Sequence, residues 1–209
     1  MHPRAILISV LVLQCASKTL ASGGADDKAI DASVPKEVRD LAGSYAGEWT
    51  MFGIDDKGNV VRKMSWTDKV AATHPEIKGD RAFVSINDDM TFEGGRGKFK
   101  VTGSEGFFLK KDGTVGDHFA ETFGSLHLMV SLADNVSSYA APVSAQEIGM
   151  MGFPKDATGQ HVLVKVTLKE DGVETHRVTR LSTVTWKDKE SKERTLQFIS
   201  LQGYHKRQQ

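Results

Sequence analysis

A chain of 209 residues with 39% hydrophobic and 26% charged side chains, 20 glycines and 5 prolines has the composition of one soluble globular domain, at most with a tail. Its 27 basic and 27 acidic residues cancel, so no net field steers it onto nucleic acid or an anionic membrane. Collagen-like, coiled-coil, multi-span membrane and disulfide-scaffold classes are excluded, and the hydrophobic content is enough for a core without a disulfide or a structural metal.

Residues 1–21 read as a secretory signal peptide. Arg4 lies in a short basic region, Ala5 to Leu13 is a continuous apolar run, and Thr19 and Ala21 are the small residues before a cut near Ala21. The run is too short for a transmembrane helix, which needs about 20 residues, so no membrane span is expected. Cleavage removes Arg4 and Lys18, leaving 25 basic against 27 acidic residues and a mature charge of −2. The expected location is secreted or periplasmic. The only cysteine, Cys15, falls inside the signal, so disulfides, thiolate catalysis and Cys-ligated metals are excluded from the mature chain. Val12-Leu13-Gln14-Cys15 resembles a lipobox, but Gln14 stands where that motif takes Gly, Ala or Ser. Cleaved soluble export is therefore the expectation, and a lipid anchor at Cys15 the alternative.

Residues 22–34 are small, polar and acidic, and read as a flexible leader. The domain proper is expected over 35–209. Pro35 to Leu41 predicts one short helix, with Ser33 as its cap, Pro35 in its first turn and Gly43 closing it. Everything after residue 44 has a period of two. Met64 and Trp66 alternate with Lys63, Ser65 and Thr67. Phe99 and Val101 alternate with Lys98, Lys100 and Thr102. The aliphatic series Leu126, Leu128, Val130, Leu132 and Val162, Val164, Val166, Leu168 show the same pattern. Asp56-Lys57-Gly58-Asn59, Lys78-Gly79-Asp80, Asp112-Gly113 and Asp171-Gly172 supply tight hairpin turns between such runs, and Lys187 to Glu193 reads as a charged hairpin tip. The fold class expected is all-β: a single antiparallel up-and-down β-barrel of eight to ten strands with a short N-terminal helix, closed because closure removes exposed strand edges. The segment Ala141 to Gly159 is too long for a tight turn. With its apolar Met150-Met151-Gly152-Phe153 it reads as a lid or binding loop, or as an ordered flap over one barrel end.

The domain opens with Leu41-Ala42-Gly43-Ser44-Tyr45-Ala46-Gly47-Glu48-Trp49 and closes with Gln202-Gly203-Tyr204-His205-Lys206-Arg207. A short helix leading into a Gly-x-Trp on the first strand resembles the start of lipocalin-like (calycin) barrels. The strand layout, with Arg81-Ala82-Phe83-Val84 and Asp89 to Gly94, is similar to secreted bacterial lipocalin-like domains. The resemblance implies that Gly47 and Trp49 form a barrel plug, with Arg207 or Lys206 from the last strand lying across the indole. A cation over an indole contributes about 0.5–1 kcal/mol or more.

No catalytic residue, metal site or cofactor is predicted. Thr102-Gly103-Ser104-Glu105-Gly106 misses the nucleophile elbow, with Thr in place of the first Gly and a strand after it. The histidines of the mature chain are spaced so that no two share one strand face; His118 and His127 differ by nine and would lie on opposite faces of a continuous strand. The informative feature is charge on faces expected to point inward: Arg62 and Asp68 with Met64, Trp66 and Val70; Glu121 with Phe119 and Phe123; Arg180 and His176 with Val178, Val184 and Trp186. Buried charge must be paired or border a wet cavity. Asp68 or Glu121 paired with Arg180 is the structural solution. A ligand cavity is the functional one, walled by Trp66, Phe119, Phe123 and Trp186, with Asp68, Glu121 or Arg180 at the polar end of a small, largely apolar ligand. The alternatives are a filled structural or protein-interaction barrel of the cell envelope, docking through Met150 to Phe153, and a barrel isomerase or cyclase using Glu121 as acid or base.

Overall fold

Tight turns set the topology. In the computed structural model, which describes residues 33–208 apart from 96, 123 and 171, Gly58, Gly79, Gly113 and Gly172 all take positive φ, so successive strands fold straight back. The signal peptide, Cys15, residues 22–32 and Phe123 lie outside the described residues.

After α1 (Lys36–Leu41) come β1 (Gly43–Ile54), β2 (Val60–Lys78), β3 (Arg81–Phe92), β4 (Lys98–Leu109), β5 (Val115–Thr122), β6 (Ser125–Ala133) and β7 (Val136–Pro142). Then follow α2 (Ala145–Met150), β8 (Thr158–Glu170), β9 (Val173–Lys187) and β10 (Glu193–Arg207). Each strand pairs antiparallel with the next, and β10 returns to β1. This is a closed, ten-stranded up-and-down barrel, the architecture that the alternation and turn chemistry lead one to expect. No helix among the described residues is long and apolar enough to cross a membrane.

The helix limits differ in detail from the expectation. Pro35 takes the N-cap position and makes no side-chain cap, and extended Ala42 ends the helix, so Gly43 opens β1 instead. Val34, the last residue of the expected leader, is buried with Val38, Tyr45, Val70, Ala72, Ala82 and Val84. This cluster fixes α1 beneath β2, β3 and β4 at one barrel end.

The opposite end is closed by the long segment before β8. Ser144 accepts from the Glu147 backbone N–H while the Glu147 carboxylate accepts from the Ser144 backbone N–H, a capping box that starts α2. Ile148, Met151 and Phe153 are buried with Met51, Ile54, Trp66, Val184 and Phe198, and Ile54 N donates to Met151 O at 2.8 Å. The segment is an ordered cap. Its apolar residues face the core, so they are not available as a docking surface.

Continuous register decides which face of each strand points inward. Trp49 pairs with Trp66, and Trp66 with Phe92; Val84 pairs with Glu105, Glu105 with Ala120, and Ala120 with His127. Paired residues share a face, so the lumen receives Glu105, His118, Ala120, His127 and Met129. Phe119 and Glu121 point outward, contrary to expectation. On the outside Phe119 is nevertheless fully buried: it packs on Phe108, with ring centroids 5.1 Å apart, under the Arg81 guanidinium at 5.4 Å. Glu121 lies beside the same Arg81 at 3.9 Å, about 40% exposed. The aliphatic members of β6 turn outward too; Leu126, Leu128, Val130 and Leu132 are 43–62% exposed. Arg62 also faces solvent, because a register shift after Met51 displaces it, and it pairs with Glu93.

Candidate functional site: a polar lumen open at one end

The lumen has two unlike halves. Around α2 it is dry and aromatic. Trp49 stacks on Trp66 with centroids 6.1 Å apart, Trp66 on Phe92 at 5.3 Å, and Phe153 meets Trp186 edge-on at 5.1 Å. Trp66 and Trp186, predicted to line a cavity, therefore belong to this packed cluster.

The Gly-x-Trp pair has a local cause visible only in three dimensions. Gly47 sits between Asp68 on β2 and His205 on β10. Lacking Cβ, it lets the Asp68 carboxylate cross β1, so that Oδ2 accepts from His205 Nε2 at 2.9 Å and from Trp49 Nε1 at 2.6 Å. The Trp49 ring lies over Gly203, where a Cβ would collide with it. Trp49 thus stands in mid-barrel and is not the plug of a closed end. Its cationic neighbour is the edge of His205, 5.0 Å away. Arg207 lies two inward rows off, over Tyr45 at 5.7 Å, and Lys206, paired with Ala46, faces out.

Across the barrel, on β4 to β9, the lumen wall is polar. Glu105 Oε1 accepts from Lys165 Nζ at 2.7 Å and lies 3.0 Å from His118 Nε2. Burial opposes ionisation of Glu105, but Lys165 and His118 outweigh it and hold the carboxyl far below the usual range. These three side chains face inward, yet 18–24% of their surfaces stay accessible. They border free space. That space is a cavity of about 750 Å³ at the α1 end, lined by Leu41, Tyr45, Phe107, His118, Lys165 and His176 among others. It is open because α1 covers only the β2–β4 side. At its mouth His176 Nε2 lies 3.0 Å from Glu174 and Arg207 3.6 Å from the same carboxylate. Burial, then Lys165, push the His176 pKa down against the pull of Glu174.

A second group lies deeper. Tyr139, Leu163 and Arg180 form one inward row over β7, β8 and β9, with His161 in the next row. The His127 ring stacks on Tyr139 at 4.4 Å, and Tyr139 meets His161 edge-on at 5.9 Å. Arg180 is paired, but with neither acid expected. Glu147 from α2 takes Nη1, and Ser200 Oγ accepts from Nε at 2.9 Å. Asp68 belongs to His205 and Trp49, and Glu121 is outside, which removes it as a lumen acid or base. Two further residues went unnoticed in the sequence. Glu147 was signalled only by the Ser144-x-x-Glu147 capping spacing, and Asp88 by nothing in the local pattern. Burial, then the Asp68 carboxylate, push the Asp88 pKa up to about 7.

Five of the mature chain's histidines, His118, His127, His161, His176 and His205, face the lumen. A turn between β5 and β6 brings His118 and His127 onto one inner wall, because they lie on adjacent strands and not on one continuous strand. Among the described residues no three His, Cys, Asp or Glu side chains are placed to hold a metal ion. Comparison with family models, with curated proteins and with solved structures finds no match to this chain.

Proposed function

We propose that the chain is an exported, lipocalin-like binding protein that takes a small, largely apolar ligand into its barrel from the α1 end. One observation carries the reading: inward-facing Glu105, His118 and Lys165 keep accessible surface around a cavity of about 750 Å³, within the usual range of small-molecule sites. Tyr45, Phe107 and Met129 supply apolar wall, and the aromatic cluster around Trp49 and Trp66 forms its floor. Arg180, expected at the polar end of the ligand, stands one row past the cavity wall.

The test is titration of the purified mature protein with an environment-sensitive apolar dye. One saturable site is expected, weakened by Met129→Trp, which fills the cavity, and also by Trp66→Ala through loosening of the floor. Absence of saturable binding to any apolar probe sinks the reading. N-terminal sequencing of the exported protein addresses location: a start at Ser22 supports soluble export, and a lipidated Cys15 puts the barrel on a membrane.

The exposed row Leu126, Leu128, Val130 and Leu132 on β6 favours a second reading, a barrel that works through a protein contact. A monomer in sedimentation velocity whose β6 leucines can be changed to threonine without loss of function would remove it.

A further inference from the structure

Resting on the lumen as a ligand site, we propose that Arg180 and His161 select a ligand whose polar end is an uncharged hydrogen-bond acceptor, a carbonyl of the ketone, ester or amide type. Both side chains are only 6% exposed. Arg180 spends Nε on Ser200 and Nη1 on Glu147, and its Nη2 is buried without a partner. His161 has neither ring nitrogen bonded. Buried polar atoms are nearly always satisfied, and each orphan costs about 1–3 kcal/mol. The pair therefore awaits a partner.

The inventory of atoms says which kind. Nη2 offers two N–H groups, and a neutral imidazole offers one N–H and one lone pair, so donors are in excess and the missing group is an acceptor. The charge is already balanced. Glu147 neutralises Arg180, and burial with the nearby guanidinium keeps His161 neutral. A carboxylate would bring an uncompensated negative charge into this setting, and an ammonium would face donors only; both are penalised. A carbonyl accepts two N–H bonds and adds no charge. Space continues to this depth: Tyr139 and Leu163 face inward and keep some accessible surface, one row beyond Ser137 and Lys165 of the cavity wall.

The experiment is dye displacement at pH 8 by methyl octanoate, octane, octanoate and octylamine. Methyl octanoate is expected to bind about tenfold tighter than each of the others, as one to two net hydrogen bonds give. In His161→Phe the advantage over octane falls to about threefold while dye and octane binding hold. The paired change Arg180→Met with Glu147→Met should do the same without leaving a lone buried charge. Isotope-edited infrared of carbonyl-labelled methyl octanoate gives a readout on the unaltered protein: its stretch moves to lower frequency than in hydrocarbon. Octanoate binding tightest, equal binding of ester and octane, or an unshifted stretch overturns the inference and leaves the lumen reading intact; any of these would mean that water alone satisfies the pair. Failure of the dye and of every probe defeats both.

Discussion

Asp68 reaches His205 across the bare face of Gly47, Oδ2 to Nε2 at 2.9 Å, and the same oxygen receives the Trp49 indole N–H. A Cβ on Gly47 would stand 2.6 Å from Asp68 Oδ1 and 2.6 Å from His205 Cδ2, and closer still to the Tyr204 carbonyl. Backbone cannot yield there cheaply. Gly47→Ala is expected to destabilise the barrel by about 3 kcal/mol, the upper end of overpacking costs, and to alter the near-ultraviolet dichroism of the Trp49–Trp66 stack. Urea unfolding that matches the unaltered protein would show that the crossing is not needed.

Asp88 makes stability fall as pH rises. Its folded pKa, about 7, lies above the ordinary 3.8, so between those values the folded state holds more protons than the unfolded state. The contribution is fully present below about pH 4 and lost by about pH 7. Asp88→Asn removes this titration. The variant should therefore gain stability relative to the parent progressively from pH 4 to pH 7, followed by thermal unfolding across that range. A difference independent of pH contradicts the assignment.

Glu105 works in the opposite sense. Lys165 and His118 hold its folded pKa below the ordinary 4.5, so its stabilisation is present above that pH and lost as pH falls through the acid range. Glu105→Gln leaves Lys165 facing the lumen without its anion. Breaking a fully buried pair costs about 3–5 kcal/mol, and because about a quarter of Glu105 is accessible, roughly 2 kcal/mol is expected near neutral pH. Urea unfolding at pH 7 and pH 3 checks both parts: a loss at pH 7 that shrinks at pH 3.

Phe119 is a structural residue of the outer wall. Phe119→Ala should cost about 3–5 kcal/mol, as for other buried phenylalanines, while leaving the stoichiometry of dye binding in the lumen unchanged. Arg81→Ala, which removes only its partly exposed cation over that ring, should cost about 0.5–1 kcal/mol. If Phe119→Ala instead abolished dye binding in a folded protein, its outward placement would be in error.

Strand number, hairpin turns and barrel closure were legible in the chain because local rules determine them: a period of two makes strands, and glycines with positive φ turn them. The inward direction of Asp68, Arg180 and His176 was legible too, since long flanking apolar runs on β2 and β9 leave one choice of face. Phe119 and Glu121 were not, because alternation names two faces and gives no sign to either. Only the register carried around the barrel, from Val84 to Glu105 to Ala120 to His127, assigns them to the outside. The partners of each buried charge lay equally beyond reach. Glu147 meets Arg180 from a cap 33 residues away, and His205 meets Asp68 from 137 away, pairings that closure of the sheet creates and no local pattern encodes.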